Sequence, residues 1–162
     1  MGRKTLTKCN CCGTCAYACH TQAQQAITTP QELPPLSITP NAHSQLAQWP
    51  CRIELVPPNA PYFDGANLLI AADCTAFAYS AFHGDFMKNH ITLICCPKLA
   101  SDECAQKLAH IIKENNIKSI RIARMEVGCC DKLEDTARRA ITESGKLVPY
   151  RVVTLSTDGK IL

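Results

Sequence analysis

Twelve of the 162 residues are cysteine, and their placement is the strongest chemical signal in the chain. Cys9, Cys12, Cys15 and Cys19 follow the spacing Cys-x2-Cys-x2-Cys-x3-Cys. A tight loop carrying a thiolate at every third position can wrap one face of a [4Fe-4S] cubane while its backbone N-H groups turn toward the cluster sulfurs. Gly13 lets the loop turn. Zinc sites favour two separated pairs, which allow the chain to reverse and close a tetrahedron, so the contiguous run favours iron-sulfur over zinc. Cys19 closes the set in this reading, with a remote thiol such as Cys51 as the alternative fourth ligand. Cys11 lies between two ligand positions and is expected to face away. His20, which replaces the proline usual after such a run, is expected to be an exposed polar residue.

The other cysteines gain meaning once the elements that carry them are assigned. Beyond residue 62 the sequence alternates apolar runs of strand length with helical patterns, which is the signature of a parallel sheet covered by helices. Strands are expected at 68–73, 91–95, 119–125 and 150–155, with a possible fifth at 51–56. Helices are expected at 75–88, 101–115 and 131–144. Ser101 is placed to cap the second helix, Asp131 and Glu134 resemble a capping box for the third, and Gly145 is placed to end it. Phe82 and Phe86 lie one turn apart on the first.

On this map Cys74, Cys96, Cys129 and Cys130 all fall at the carboxyl ends of parallel strands, the edge where open α/β sheets bind ligands. Helix N-termini at that edge favour the negative charge of a thiolate-ligated cluster. The expectation is a second metal site built from Cys74, Cys96, Cys129 and Cys130, which requires a sharp turn at Gly128 for both adjacent thiols to reach it. Cys104 and Cys95 read as packing cysteines, since free cysteine is among the most buried residue types. His83 reads as a hydrogen-bonded residue at the margin of the core, and Asp73 as a residue that orients a loop or caps a helix.

Three zones follow along the chain: a cysteine-rich segment at 1–29, a proline-rich linker at 30–61 holding eight of the ten prolines, and an α/β domain at 62–162. Apolar residues at 46% and charged residues at 19% are compatible with a buried core, and the net charge of +3 without a basic block argues against nucleic acid. No secretory leader or membrane span is read in the sequence, and free thiols in such number suit a reducing, cytoplasmic setting. Neither a dinucleotide fingerprint nor a P-loop lysine motif occurs.

The segments Lys8-Cys9-Asn10-Cys11-Cys12-Gly13-Thr14-Cys15, Trp49-Pro50, Val56-Pro57-Pro58-Asn59-Ala60-Pro61, Ala71-Ala72-Asp73-Cys74, Phe82-His83, Cys96-Pro97-Lys98-Leu99, Arg124-Met125-Glu126-Val127 and Cys129-Cys130 carry a resemblance. Together they resemble the ferredoxin-like iron-sulfur proteins of anaerobic bacteria and archaea, in which a [4Fe-4S] module precedes an α/β domain. The resemblance spans nearly the whole chain. It implies cluster binding and electron transfer with no well-defined substrate, and a protein of this sort needs a redox partner protein. The family tends to have Pro before its paired cysteines and Gly after them, where this chain has Gly128 and Asp131.

The fold class expected is therefore α/β: a four- to five-stranded, mainly parallel, Rossmann-like sheet with helices on its faces, preceded by a ferredoxin-like cysteine loop and a proline-rich linker. An electron carrier is favoured over an enzyme. The competing readings are a cluster- or thiol-dependent reductase subunit of the heterodisulfide type and a zinc-stabilised interaction module.

Overall fold

A computed structural model describes residues 43–99 and 103–162, all within the second of the chain's two units, Pro40–Leu162. The N-terminal cysteine run and Ser101 lie outside the described residues. Four strands form one parallel sheet: β1 (Asn67–Ala71), β2 (Ile91–Ile94), β3 (Ser119–Met125) and β4 (Tyr150–Leu155), in the spatial order β2-β1-β3-β4. Every pair is parallel, with Ala71 of β1 opposite both Ile94 of β2 and Ala123 of β3. The central strand β1 reads as an unbroken apolar run, Leu68-Leu69-Ile70-Ala71, because parallel sheets are covered on both faces.

Three helices connect the strands: α1 (Thr75–Ala78), α2 (Glu103–Glu114) and α3 (Asp131–Ser144). The path runs outward from β1 to β2 and then crosses back past β1 to β3. Right-handed crossovers then put the β1–β2 connection on one face and the next two on the other. In keeping with this, α2 and α3 pack against each other. The buried stripe of α2 is Cys104, Leu108, Ile111 and Ile112, and that of α3 is Leu133, Ala137 and Ala140. Gly145, left-handed at φ 70°, ends α3 as its sequence position indicates.

The first expected helix is broken. Only Thr75–Ala78 is α-helical; Tyr79 is extended, and a π-helical turn follows at His83–Met87. Phe82 and Phe86 still stack, with ring centroids 4.9 Å apart, and Tyr79 meets Phe86 edge-on at 5.6 Å. The Tyr79 hydroxyl donates to Asp85 at 2.6 Å, a contact that becomes available once the chain leaves the helix at Tyr79. Buried aromatic packing thus outweighs continuation of the helix across Ser80.

No fifth strand forms at 51–56. Arg52 makes a single parallel bridge to Ile94, the Cys51 carbonyl accepts from Ile94 N, and Ile53–Leu55 then coils into a 3-10 turn. Two prolines follow at Pro57 and Pro58, whose rings remove the donors a longer ladder would need. The described part of the proline zone, from residue 43, packs onto the sheet. Ile53, Val56 and Ala60 are buried in the core, and the buried Gln48 side chain donates to the Thr92 carbonyl at 2.5 Å.

Candidate metal centre

Cys74, Cys96 and Cys129 follow β1, β2 and β3, three adjacent strands, at their shared carboxyl edge. The reversal of path between β1 and β3 is the topological switch point of this sheet, where a crevice opens beyond the strand ends. Cys74 and Cys129 flank it. Cys96 is followed by a turn closed by Leu99 N donating to the Cys96 carbonyl at 2.9 Å. At Gly128–Cys130 the chain makes a 3-10 turn, with Cys130 N donating to the Val127 carbonyl at 2.9 Å, and α3 starts directly after it. The chain thus turns sharply between Gly128 and the start of α3.

The thiols sense one another. Burial raises the pKa of Cys74, and the neighbouring Cys96, Asp73 and Cys129 raise it further. Burial likewise pushes up Cys130, which is hydrogen-bonded with Cys129 and also feels Cys74, while a backbone hydrogen bond at Met125 pulls in the opposite direction. Cys74 is exposed, Cys96 and Cys129 are half-buried, and Cys130 is buried. The four residues share the sheet edge and are graded from solvent to core, but they are not the residues whose donor atoms lie within 4.8 Å of one another among the described residues.

Charged residues hold the loops. Arg52 Nη1 donates to Asp73 Oδ2 at 3.1 Å, beside Cys74. The other carboxylate oxygen, Asp73 Oδ1, is buried without a hydrogen-bond partner among the described residues. Asp131 and Glu134 do not form the expected capping box: Cys130 occupies the N-cap position with no side-chain cap, and both carboxylates pair with Arg124 of β3. A cation on the neighbouring strand competes successfully with the helix N-terminus for these acids. The Thr75 hydroxyl, fully buried, donates to the Ala72 carbonyl at 2.7 Å and fixes the start of α1. His83 is exposed, with its Nδ1 accepting from Gln45 N at 3.1 Å, so its observed role is to anchor the leading segment.

A second group was not legible as a site. Cys95 and Cys104 are buried as expected for packing cysteines, but they also meet Glu54. Cys95 donates to Cys104 across 3.6 Å and Cys104 to Glu54 Oε1 across 3.2 Å. All three donor atoms lie within 4.8 Å of one another, close enough to share one metal ion. Burial, followed by the Glu54 carboxylate and Cys95, drives the Cys104 pKa strongly upward; burial is also the main cause of the rise at Cys95. Among the described residues, no helix is long and apolar enough to cross a membrane.

A four-stranded parallel sheet with covering helices and a ligand edge at its switch point defines a Rossmann-like domain, and residues 60–162 match that family's model. The chain belongs to the Rossmann-like domain family. It is also 32% identical over 118 residues to an uncharacterized protein of Archaeoglobus fulgidus, an alignment covering 72% of this chain and 83% of the relative. No solved structure matches. Neither the family description nor the relative's name mentions an iron-sulfur cluster.

Proposed function

We propose that this protein is an iron-sulfur electron carrier, with one [4Fe-4S] cluster on Cys9, Cys12, Cys15 and Cys19 and a second held by Cys74, Cys96, Cys129 and Cys130. What supports the reading is that these last four cysteines follow three adjacent strands at one carboxyl edge, with Cys96 and Cys129 near enough to Cys74 to raise its pKa and Cys129 hydrogen-bonded with Cys130. The donor set fits the group: four thiolates are the usual ligands of a [4Fe-4S] core, and a cluster bound there would accept and release single electrons.

The chain's own residues supply the rest. Cys130 starts α3, so the helix N-terminus offsets negative charge at the thiolates. Arg52 holds Asp73 and with it the Cys74 loop, and Arg124 holds the first turn of α3 behind Cys129 and Cys130. Phe77, Leu99 and Val127, each within three residues of one of these cysteines, expose apolar side chains around the edge, with Phe77 93% exposed. An apolar rim beside a redox centre suits transient docking of a redox partner protein.

The test is anaerobic purification of the full chain with iron and acid-labile sulfide analysis, repeated for Cys12→Ala and Cys129→Ser. About eight irons and eight sulfides per chain are expected for two cubanes, with about half lost in each variant. Zinc in place of iron would defeat the reading, as would iron without sulfide. An unchanged iron content in Cys129→Ser would remove the cluster at the sheet edge.

A further inference from the structure

Glu54, Cys95 and Cys104 come from three segments: the 3-10 turn that precedes β1, the residue after β2, and the first turn of α2. A tetrahedral zinc ion, with bonds of about 2.3 Å to sulfur and about 2.0–2.2 Å to oxygen, sets its ligand atoms about 3.4–3.8 Å apart. Here the two sulfurs are 3.6 Å apart, and sulfur and carboxylate oxygen are 3.2 Å apart. A disulfide would need the sulfurs at about 2.05 Å. The hydrogen-bonded chain from Cys95 through Cys104 to Glu54 therefore already supplies two edges close to those of a metal tetrahedron, with all three donor atoms within 4.8 Å of one another.

We propose that Glu54, Cys95 and Cys104 form a separate site for one thiophilic divalent cation of the zinc type, with its fourth position open to solvent.

The surroundings support this assignment. Arg52 Nε pairs with the second carboxylate oxygen of Glu54 at 3.3 Å, which leaves Oε1 directed at the thiols. Lys107 Nζ donates to the Glu54 carbonyl at 2.6 Å and fixes the turn. Outer contacts of this kind orient a metal ligand before the ion arrives. Both thiols are only 3% exposed, so the soft donors lie inside and the carboxylate closes the outer side. A cavity of about 450 Å³ adjoins Glu54 and Cys104, lined also by Pro58, Lys107 and His110, and has room for a water at the fourth position. Binding exchanges the two thiol protons for the cation, and Arg52 offsets the single negative charge left by two thiolates and one carboxylate around a divalent ion.

The site shares no ligand with the sheet-edge group, so the two can be tested apart. Full-length protein purified anaerobically would be titrated with Zn2+, and with Co2+ as a spectroscopic probe, in wild type, Cys104→Ala, Glu54→Gln and Cys129→Ser. Wild type and Cys129→Ser should each take up one equivalent that Cys104→Ala lacks, with cobalt-thiolate absorption lost in the same variant. Glu54→Gln, a change at an exposed side chain, should bind that equivalent at least tenfold more weakly, and Zn2+ should raise its unfolding midpoint less than that of wild type. Equal zinc stoichiometry in wild type and folded Cys104→Ala would overturn the proposal, as would unchanged affinity in Glu54→Gln. Loss of the equivalent in Cys129→Ser would assign it to the sheet edge and overturn the proposal equally.

Discussion

Arg52 Nη1 lies 3.1 Å from Asp73 Oδ2, which ties the segment entering the domain to the residue before Cys74. The same guanidinium pairs with Glu54 through Nε. One side chain thus braces both groups of thiols. Its ion pairs are part-exposed, so each is worth only about 0–1 kcal/mol to folding. Arg52→Met should therefore lower the unfolding midpoint by a few degrees at most, while Cys74 alkylates faster because its loop is no longer held. A large loss of stability with unchanged Cys74 reactivity would show that Arg52 acts on the fold as a whole.

Arg124 plays the matching part on β3. It is mostly buried and faces both Asp131 and Glu134 at the start of α3. Arg124→Met removes the cation and leaves two carboxylates near the helix N-terminus, where they retain a favourable interaction with the helix dipole. The expected cost is about 1–2 kcal/mol in urea unfolding, less than for breaking a fully buried pair. A cost near zero would mean that the helix start absorbs both acids without help.

The aromatic pair gives a larger effect. Phe82 is 2% exposed and stacks on Phe86 beneath the sheet, with Arg121 placed 6.0 Å from the Phe86 ring centre. Phe82→Ala should cost about 3–5 kcal/mol by chemical denaturation, the range for emptying a buried aromatic site. A loss under about 1 kcal/mol would indicate that the broken helix region repacks freely.

The strands, their parallel pairing and the last two helices were legible because apolar runs and helical stripes are local patterns of side-chain period. The ending of α3 at Gly145 was legible for a similar local reason. Two readings failed where a tertiary contact displaced a local preference. Asp131 and Glu134 have capping-box spacing, yet Arg124 on a neighbouring strand takes both. The spacing of Phe82 and Phe86 suggested one long helix, while the same packing is achieved across a break and a π-helical turn. That Cys74, Cys96, Cys129 and Cys130 follow strand ends on one edge was legible because the strands themselves were. Glu54 and Cys104, 50 residues apart, had no such shared rule. Their meeting depends on where the proline-rich segment packs, and no local spacing records it.

Two glycines separate close approach from mere flexibility. Gly159 has φ +80°, and a Cβ there would sit 2.5 Å from the Ala78 carbonyl oxygen at the end of α1. That oxygen belongs to backbone and cannot swing aside as a side chain would. Gly84 has nothing within 4 Å of the same position. Gly159→Ala combines the left-handed strain of a non-glycine residue with this clash, so it should cost about 1–3 kcal/mol. Gly84→Ala, in a turn with room for a methyl group, should be neutral or stabilise by up to about 1 kcal/mol by restricting the unfolded chain. Thermal unfolding of the two variants side by side checks both expectations. The Gly159 substitution should also disturb α1, and with it the exposed Cys74 at the N-cap of that helix. Equal midpoints for the two variants would mean that the C-terminal turn yields to the added methyl group, and that its approach to Ala78 does not hold the Cys74 loop.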